Sequence, residues 1–180
     1  NWRDLVDVLE REASVAEDDV FRIQVYSDLA RVWYEKLERE RNAIENWERV
    51  LDIEPGNTYA LFSIAEIQRA GGQSRERADT LQRIIDVGAA TLEDEDLITV
   101  YMQLGHIYGS ELEQPGDAVD AYQNVLNIDP AFFEALDSVE LIHREQGEWE
   151  DVIGVMEQRA QALEDPHDRV RQLIAVTEVW

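Results

Sequence analysis

Three histidines are the residues of this sequence best suited to metal binding or acid–base chemistry. His106, His143 and His167 lie far apart along the chain. None of them forms a His-x3-His pair or a His-Glu-x-x-His motif, the patterns that place two metal ligands on one face of a helix. A histidine metal site would therefore need ligands from separate parts of the chain, and the sequence predicts no metal site.

Other catalytic patterns are equally absent. The chain has no cysteine, which excludes a thiol nucleophile, a thiolate zinc site and a disulfide framework. With 40 Asp and Glu residues, carboxylate pairs occur throughout, so no pair stands out as a general acid and base. Gly71-Gly72 and Pro115-Gly116 are not followed by Lys-Ser/Thr and are interpreted as turns rather than phosphate-binding loops. We predict no catalytic residue, no cofactor and no enzyme activity.

The charge balance bears on possible partners. Lys and Arg number 16 against the 40 acids, which gives a formal net charge of −24. Such a field repels phosphate, so we expect neither nucleic acid nor a membrane surface as partner, and basic proteins fit better. Acidic clusters at 16–19, 92–96 and 164–166 stand at predicted helix starts, where carboxylates cap free N–H groups; helix capping is favoured there over calcium binding.

No signal-peptide pattern opens the sequence, and its longest uncharged run, 97–110, is too short to span a bilayer. Because the sequence begins at Asn1 without methionine, we expect it to be a piece of a longer protein. Its compartment stays open, with the cytoplasm as the default.

Internal repeats organise the chain. A slide of 75 residues superposes 42–72 on 117–147 and a slide of 147 residues superposes its two ends. Apolar residues recur three and four positions apart over stretches of about 14 to 18 residues, the period of amphipathic helices. Few glycines and prolines interrupt them, so the sequence predicts an all-α fold of helix pairs without strands.

One stretch carries a specific pattern. It runs Tyr101-x2-Leu104-Gly105-x2-Tyr108, then Ala118-x3-Tyr122, then Pro130, and it closely resembles the tetratricopeptide (TPR) repeat. The small Gly105 lets the second helix of the pair approach the first, and the tyrosines fill the space between them. The resemblance implies a right-handed superhelical solenoid of antiparallel helix pairs, as a fragment of a longer array.

We expect one solenoid over residues 1–180, divided into a second helix of a preceding repeat (1–18), four repeats (19–56, 57–93, 94–131 and 132–166) and a first helix of a following repeat (167–180). Three positions depart from the TPR pattern. Gln68 and His143 stand where an aromatic residue is usual, and Glu140 stands where a small one is expected.

TPR arrays are scaffolds that bind peptides or proteins, and the resemblance implies that role here. The residues that the repeat register places on the concave face, and that we predict to bind a ligand, are Arg31, Tyr34, Tyr59, Phe62, Glu66, Arg69, Met102, His106, Asp137, Leu141 and Arg144. None is a Lys or Asn, which puts recognition of a C-terminal carboxylate in doubt. We expect a protein or peptide partner with apolar and basic residues, bound between the second and third first helices. The alternative is a spacer or self-association module without a ligand of its own.

The ends of the chain suggest self-association. Leu173, Val176 and Trp180 stand where Tyr26, Leu29 and Trp33 meet a following helix, so an apolar face is left without its own partner. We expect either further helices in a longer chain or end-to-end association between copies.

Overall fold

The computed structural model describes residues 1–177, which form ten α-helices and no strand. The predicted all-α fold class is therefore confirmed over these residues. The helices are α1 (Trp2–Val15), α2 (Asp19–Glu35), α3 (Glu40–Ile53), α4 (Thr58–Ala70), α5 (Ser74–Gly88), α6 (Asp94–His106), α7 (Pro115–Ile128), α8 (Phe133–Gln146), α9 (Trp149–Ala162) and α10 (Pro166–Thr177). Trp180, which the sequence analysis places on an unpartnered face, lies outside the described residues. No described helix is both long enough and apolar enough to cross a membrane.

The chain forms two compact units, Asn1–Thr91 and Leu92–Trp180. In the first unit each of the helices α1 to α5 packs on its neighbour in sequence. The contact between α1 and α2 is built by Val6 and Ala13 of α1 against Val25 and Leu29 of α2. Contacts between consecutive helices are what a stacked repeat architecture requires, because each amphipathic helix buries its apolar face on the next.

The second unit repeats this arrangement with α6 to α10. Its largest described cluster joins Tyr122 and Val125 of α7 with Leu136 and Val139 of α8, and Val155 of α9 extends it. A second cluster packs α9 against Val176 of α10. The division of the chain into the individual repeats given above stays a prediction.

The 75-residue repeat extends to the backbone conformation. Glu38 and Glu113, which are 75 positions apart, both have positive φ, at 53° and 55°. Gly72 and Gly147, again 75 apart, have φ of 66° and 74°. Glycine adopts this left-handed region without steric cost, whereas a residue with a Cβ atom is strained there. The same turn geometry therefore follows α2 and α6, and a second geometry follows α4 and α8.

Two of the predicted acidic caps are present as hydrogen bonds. The Asp18 carboxylate accepts from Phe21 N at 2.9 Å, and the Asp165 carboxylate accepts from His167 N at 2.7 Å. At the start of α6 the side chain of Glu93 makes no capping hydrogen bond. There the acids Asp94, Glu95 and Asp96 occupy the first turn, where they complement the positive end of the helix dipole.

A π-helical turn follows α6 directly. After His106 the chain continues as a π-helical turn, Ile107–Glu111, in which Leu112 N donates to Ile107 O at 2.9 Å. Gly109 lies in this turn, and a Cβ atom there would stand 3.4 Å from the Cβ of Ala118 on α7. The wide turn keeps Ile107 fully buried, which periodicity alone does not reveal.

Candidate binding surface

An open apolar cleft lies between α2 and α4 of the first unit. Its volume is about 290 Å³. Its lining consists of Ala30, Arg31, Tyr34 and Glu35 from α2, Trp47 from α3, and Tyr59, Phe62, Ser63, Glu66 and Ile67 from α4. Because α2 and α4 are both first helices in the repeat alignment, the cleft occupies the place where adjacent repeats present their first helices side by side.

Two aromatic side chains in contact, Trp47 and Tyr59, line the cleft. Trp47 is almost completely buried, with 2% of its surface exposed, whereas Tyr59 is 61% exposed. Their ring centroids lie 5.5 Å apart and the rings meet edge to face at 78°. This geometry is favourable for aromatic rings, and it fixes the orientation of Tyr59 while leaving most of its surface open to solvent. Phe62, one helical turn along α4, is half-buried beside it.

Charged groups form the rim. Glu66 accepts from Arg69 Nη2 at 2.8 Å and from Arg69 Nε at 3.1 Å. This hydrogen bond, together with the charge of Glu66, raises the pKa of the Arg69 guanidinium above its ordinary value. On the other side Arg31 donates to Asp28 at 2.8 Å. Glu35 lines the cleft on the α2 side, and its carboxylate lies 3.5 Å from the ammonium of its neighbour Lys36.

Five of the predicted ligand-binding residues meet in this cleft: Arg31, Tyr34, Tyr59, Phe62 and Glu66. Arg69 lies next to it, bound to Glu66. Sequence reasoning missed Trp47 and Glu35 as lining residues. In the sequence, Trp47 matches the TPR pattern and is therefore expected in the core of its repeat, and Glu35 begins the charge run 35–41, which indicates a solvated helix end. No signal in the sequence indicates that one edge of a buried tryptophan faces a cleft.

The remaining predicted residues lie in the second unit. Met102 is half-buried and packs on the core cluster that Tyr122 and Leu136 share. His106 is exposed, and its Nε2 lies 4.0 Å from a Glu111 carboxylate oxygen. Leu141 is exposed on α8. The predicted groove that groups Met102 with Tyr59 and Phe62 stays a prediction, because Met102 belongs to the other unit.

Asp137 and Arg144 take part in an ion-pair network within the second unit. Arg159 of α9 binds both Asp137 and Glu140 of α8, the latter at 2.9 Å. Glu140 also accepts from Arg144 at 2.7 Å. The glutamate that departs from the TPR pattern at position 140 is therefore held between two guanidiniums, and the network ties α8 to α9.

One group of side chains in the described part of the chain could supply three metal ligands. His143, Glu148 and Asp151 place ligand atoms within 4.8 Å of one another. His143 Nδ1 is already hydrogen-bonded to Glu148 at 2.7 Å, and Asp151 is exposed in the first turn of α9. Carboxylates at a helix N-terminus complement its dipole. We therefore assign these acids to the start of α9.

Comparison with known proteins finds two repeats of a known family in the second unit. Residues 98–132 and residues 135–170 each match a family model described as a tetratricopeptide repeat. These two stretches of the chain are thus tetratricopeptide repeats, as the sequence pattern predicts. No curated protein matches the sequence.

Solved structures support the same fold. MamA is 16% identical with a TM-score of 0.57, and the match covers 89% of this chain and 88% of MamA. The N-terminal domain of stress-induced protein-1 from C. elegans is 14% identical with a TM-score of 0.58, over 71% of this chain and 99% of that domain. A kinesin-light-chain-like protein of Podospora anserina with TPR-like repeats is 19% identical with a TM-score of 0.56, over 89% and 86%. These likenesses show a TPR-like solenoid fold.

Repeats of this family are protein-interaction scaffolds and are generally non-catalytic. The chain is accordingly a repeat scaffold of the protein-interaction class.

Proposed function

We propose that the cleft between α2 and α4 binds a segment of another protein that carries an apolar anchor next to basic residues. The observation that carries this proposal is the pair Trp47 and Tyr59, in which a buried ring orients a largely exposed one in the lining of an apolar cleft. Exposed aromatic surface at a concave site favours binding, because a rigid ring loses little conformational entropy when it is covered.

The negative charge of the protein favours basic residues in the ligand. Glu35 and Glu66 stand on opposite sides of the cleft, and the whole chain carries a net charge of −24. A basic segment would be attracted to this field from a distance, and its guanidinium or ammonium groups could then pair with the rim carboxylates. The apolar anchor in the cleft would provide most of the affinity, and the rim would set register and association rate.

In the second unit, taken by itself, the repeat register predicts five ligand-binding residues: Met102, His106, Asp137, Leu141 and Arg144. Of these, Leu141 and His106 are exposed and offer contact surface. The carboxylate of Asp137 is bound to Arg159, so its part in ligand binding would require sharing that guanidinium.

A peptide-binding assay tests the proposal. Short peptides with a central Trp, Phe or Leu flanked by Arg or Lys are compared with the same peptides flanked by Glu, using isothermal titration calorimetry. We expect binding only of the basic set, and we expect Tyr59→Ala to weaken it. Phe133→Ala is a matched control, because Phe133 is a similarly exposed aromatic residue on α8 outside the cleft. The alternative, a spacer without its own ligand, predicts no binding by either set.

A further inference from the structure

The cleft between α2 and α4 is rich in aromatic side chains. Aromatic residues make up 8% of the chain, but they supply four of the ten residues that line the cleft, which are Tyr34, Trp47, Tyr59 and Phe62. They come from three helices, α2, α3 and α4. The aliphatic residues of the lining are the small Ala30 and Ile67. The apolar part of the wall is therefore largely aromatic.

Helix packing does not require two of these rings. The 75-residue slide superposes Tyr59 on Glu134, and it superposes Phe62 on Asp137. Both acids lie on α8 of the second unit, which packs on the helices before and after it as α4 does in the first unit. Tyr59 and Phe62 thus occupy positions where a repeat of this chain tolerates charge. This favours contact with a ligand over packing as the reason for their rings.

The charges around the cleft favour a cation as the group bound there. Glu35 and Glu66 bring carboxylates to the lining from α2 and α4. Arg31, the basic residue of the lining, donates to Asp28 at 2.8 Å, so its charge is balanced within α2. The net charge of −24 on the whole chain also attracts cations from a distance.

The cation that suits this cleft is one without N–H groups. Glu66 already accepts hydrogen bonds from Arg69, and the Glu35 carboxylate lies 3.5 Å from the Lys36 ammonium. A lysine ammonium has three N–H donors and is strongly hydrated, so it would lose water in the cleft and gain few acceptors. Methylation of lysine keeps the positive charge and replaces these donors with methyl groups. The negative faces of aromatic rings attract such a cation.

We propose that the cleft recognises a trimethylated lysine of another protein, with its quaternary ammonium group placed among Tyr34, Tyr59 and Phe62. This inference rests on the proposed function, because it names the anchor of the protein segment that binds there. The cleft volume of about 290 Å³ is at the lower end of the range of about 300–1,000 Å³ for ligand clefts, which suits a single side-chain head group. Glu35 and Glu66 would attract basic residues that flank the methylated lysine.

Isothermal titration calorimetry with three peptides tests the proposal without altering the protein. Each peptide has arginines on both sides of a central residue, which is trimethyllysine, unmodified lysine, or the neutral analogue with carbon in place of the quaternary nitrogen. The analogue has the same shape as trimethyllysine and lacks its charge. We expect the trimethyllysine peptide to bind on the order of ten-fold more tightly than either of the other two. Free trimethyllysine should bind more weakly than the peptide, because it lacks the flanking arginines.

The variant Tyr59→Leu separates contact with the ring from general attraction by the acidic chain. Tyr59 is exposed, and leucine keeps the position apolar and the net charge unchanged. A preference caused by the overall field alone would therefore survive the substitution. We expect the preference for trimethyllysine over the neutral analogue to fall to about two-fold or less. Phe133→Leu is the matched control, because Phe133 is an exposed aromatic residue of α8 outside the cleft, and it should leave the preference unchanged.

The proposal is overturned if the neutral analogue or unmodified lysine binds as tightly as trimethyllysine, or if the preference survives Tyr59→Leu undiminished. Equal affinity of free trimethyllysine and the peptide would overturn the assignment to a protein partner in favour of a small quaternary ammonium compound. If peptides centred on Trp, Phe or Leu bind and the trimethyllysine peptide does not, this inference fails and the proposed function stands. If none of these peptides binds, the proposed function fails as well.

Discussion

Gly105 of α6 lies against the ring of Tyr122 of α7 so closely that any side chain at position 105 would overlap it. A Cβ atom placed there would stand 2.5 Å from Cε1 and 2.6 Å from Cζ of the tyrosine. Tyr122 is buried in the core of the second unit, so its ring has no free space to enter. Because position 105 has no side chain, α6 and α7 can approach each other closely.

Replacing Gly105 by alanine should therefore destabilise the protein in spite of the better helix propensity of alanine. We expect the free energy of unfolding to fall by about 1–3 kcal/mol, the usual cost of overpacking a core. Gly154→Ala is the matched control, because no atom lies within 4 Å of a Cβ there and the residue lies inside α9. That variant should gain up to about 1 kcal/mol from helix propensity. Urea unfolding measures both, and equal effects would contradict the steric argument.

The ion-pair network around Glu140 should contribute to stability. Arg159 and Glu140 are largely shielded from solvent and join α9 to α8. Arg159→Met keeps the length of the side chain but leaves Glu140 with Arg144 as its remaining basic partner, and we expect a loss of about 1–3 kcal/mol. A double-mutant cycle with Glu140→Gln measures the coupling. Strictly additive losses would show that the two groups do not interact.

Alkaline conditions should weaken the second unit through Tyr122. Burial raises the pKa of its hydroxyl, and a hydrogen bond with Ser138 opposes this shift only in part. Because the folded-state pKa exceeds the unfolded value of about 10, the contribution to stability is complete below pH 10 and is lost as pH rises through the folded pKa. The unfolding free energy should fall above pH 10, and less steeply in Tyr122→Phe. If the unfolding free energy of both proteins falls with pH at the same slope, ionisation of Tyr122 is not the cause.

Moderate salt should stabilise the fold. A surface with a net charge of −24 repels itself in the compact state, and added ions screen that repulsion beyond a Debye length of about 10 Å at 0.1 M. We expect the melting temperature to rise from low salt to about 0.5 M, where the Debye length is only a few ångströms. Since the exposed ion pairs are worth little, their screening should not reverse the trend. A melting temperature that stays level or falls would contradict this expectation.

Binding at the cleft should separate into an apolar and an electrostatic part. Truncating Phe62 to alanine should cost about 1–3 kcal/mol of binding free energy if the ring contacts the anchor of the ligand. Glu66→Gln should mainly reduce the dependence of the association rate on salt, because a rim charge acts through steering. Stopped-flow measurements at several salt concentrations distinguish the two variants. Unfolding of Phe62→Ala is followed in parallel, and a variant that is stable and binds normally would show that Phe62 acts in packing alone.

The sequence by itself determined the class of fold. Helical periodicity needs only local information, and the 75-residue repeat aligns Gly72 with Gly147, whose positive φ angles are alike in the structure. The TPR pattern also predicts that the small Gly105 lets the second helix of the pair approach the first, and that tyrosines fill the space between them. The contact of Gly105 with the ring of Tyr122 in particular is a result of the structure. The predicted concave positions of α2 and α4 come together because one repeat register places both helices.

Only the tertiary structure decided which side chains meet across helices. Buried Trp47 contacts Tyr59 edge to face, and Arg159 binds Glu140 of the preceding helix. Both contacts depend on helix crossing angles and side-chain rotamers, which sequence spacing does not specify. The contrast between buried Val155 and exposed Val8, which the 147-residue slide superposes, is of the same kind, because equivalent residues differ only in whether a helix lies over them. The burial of a side chain therefore depends on the neighbouring helix as well as on the residue itself, and the sequence of one helix does not specify which helix packs on it.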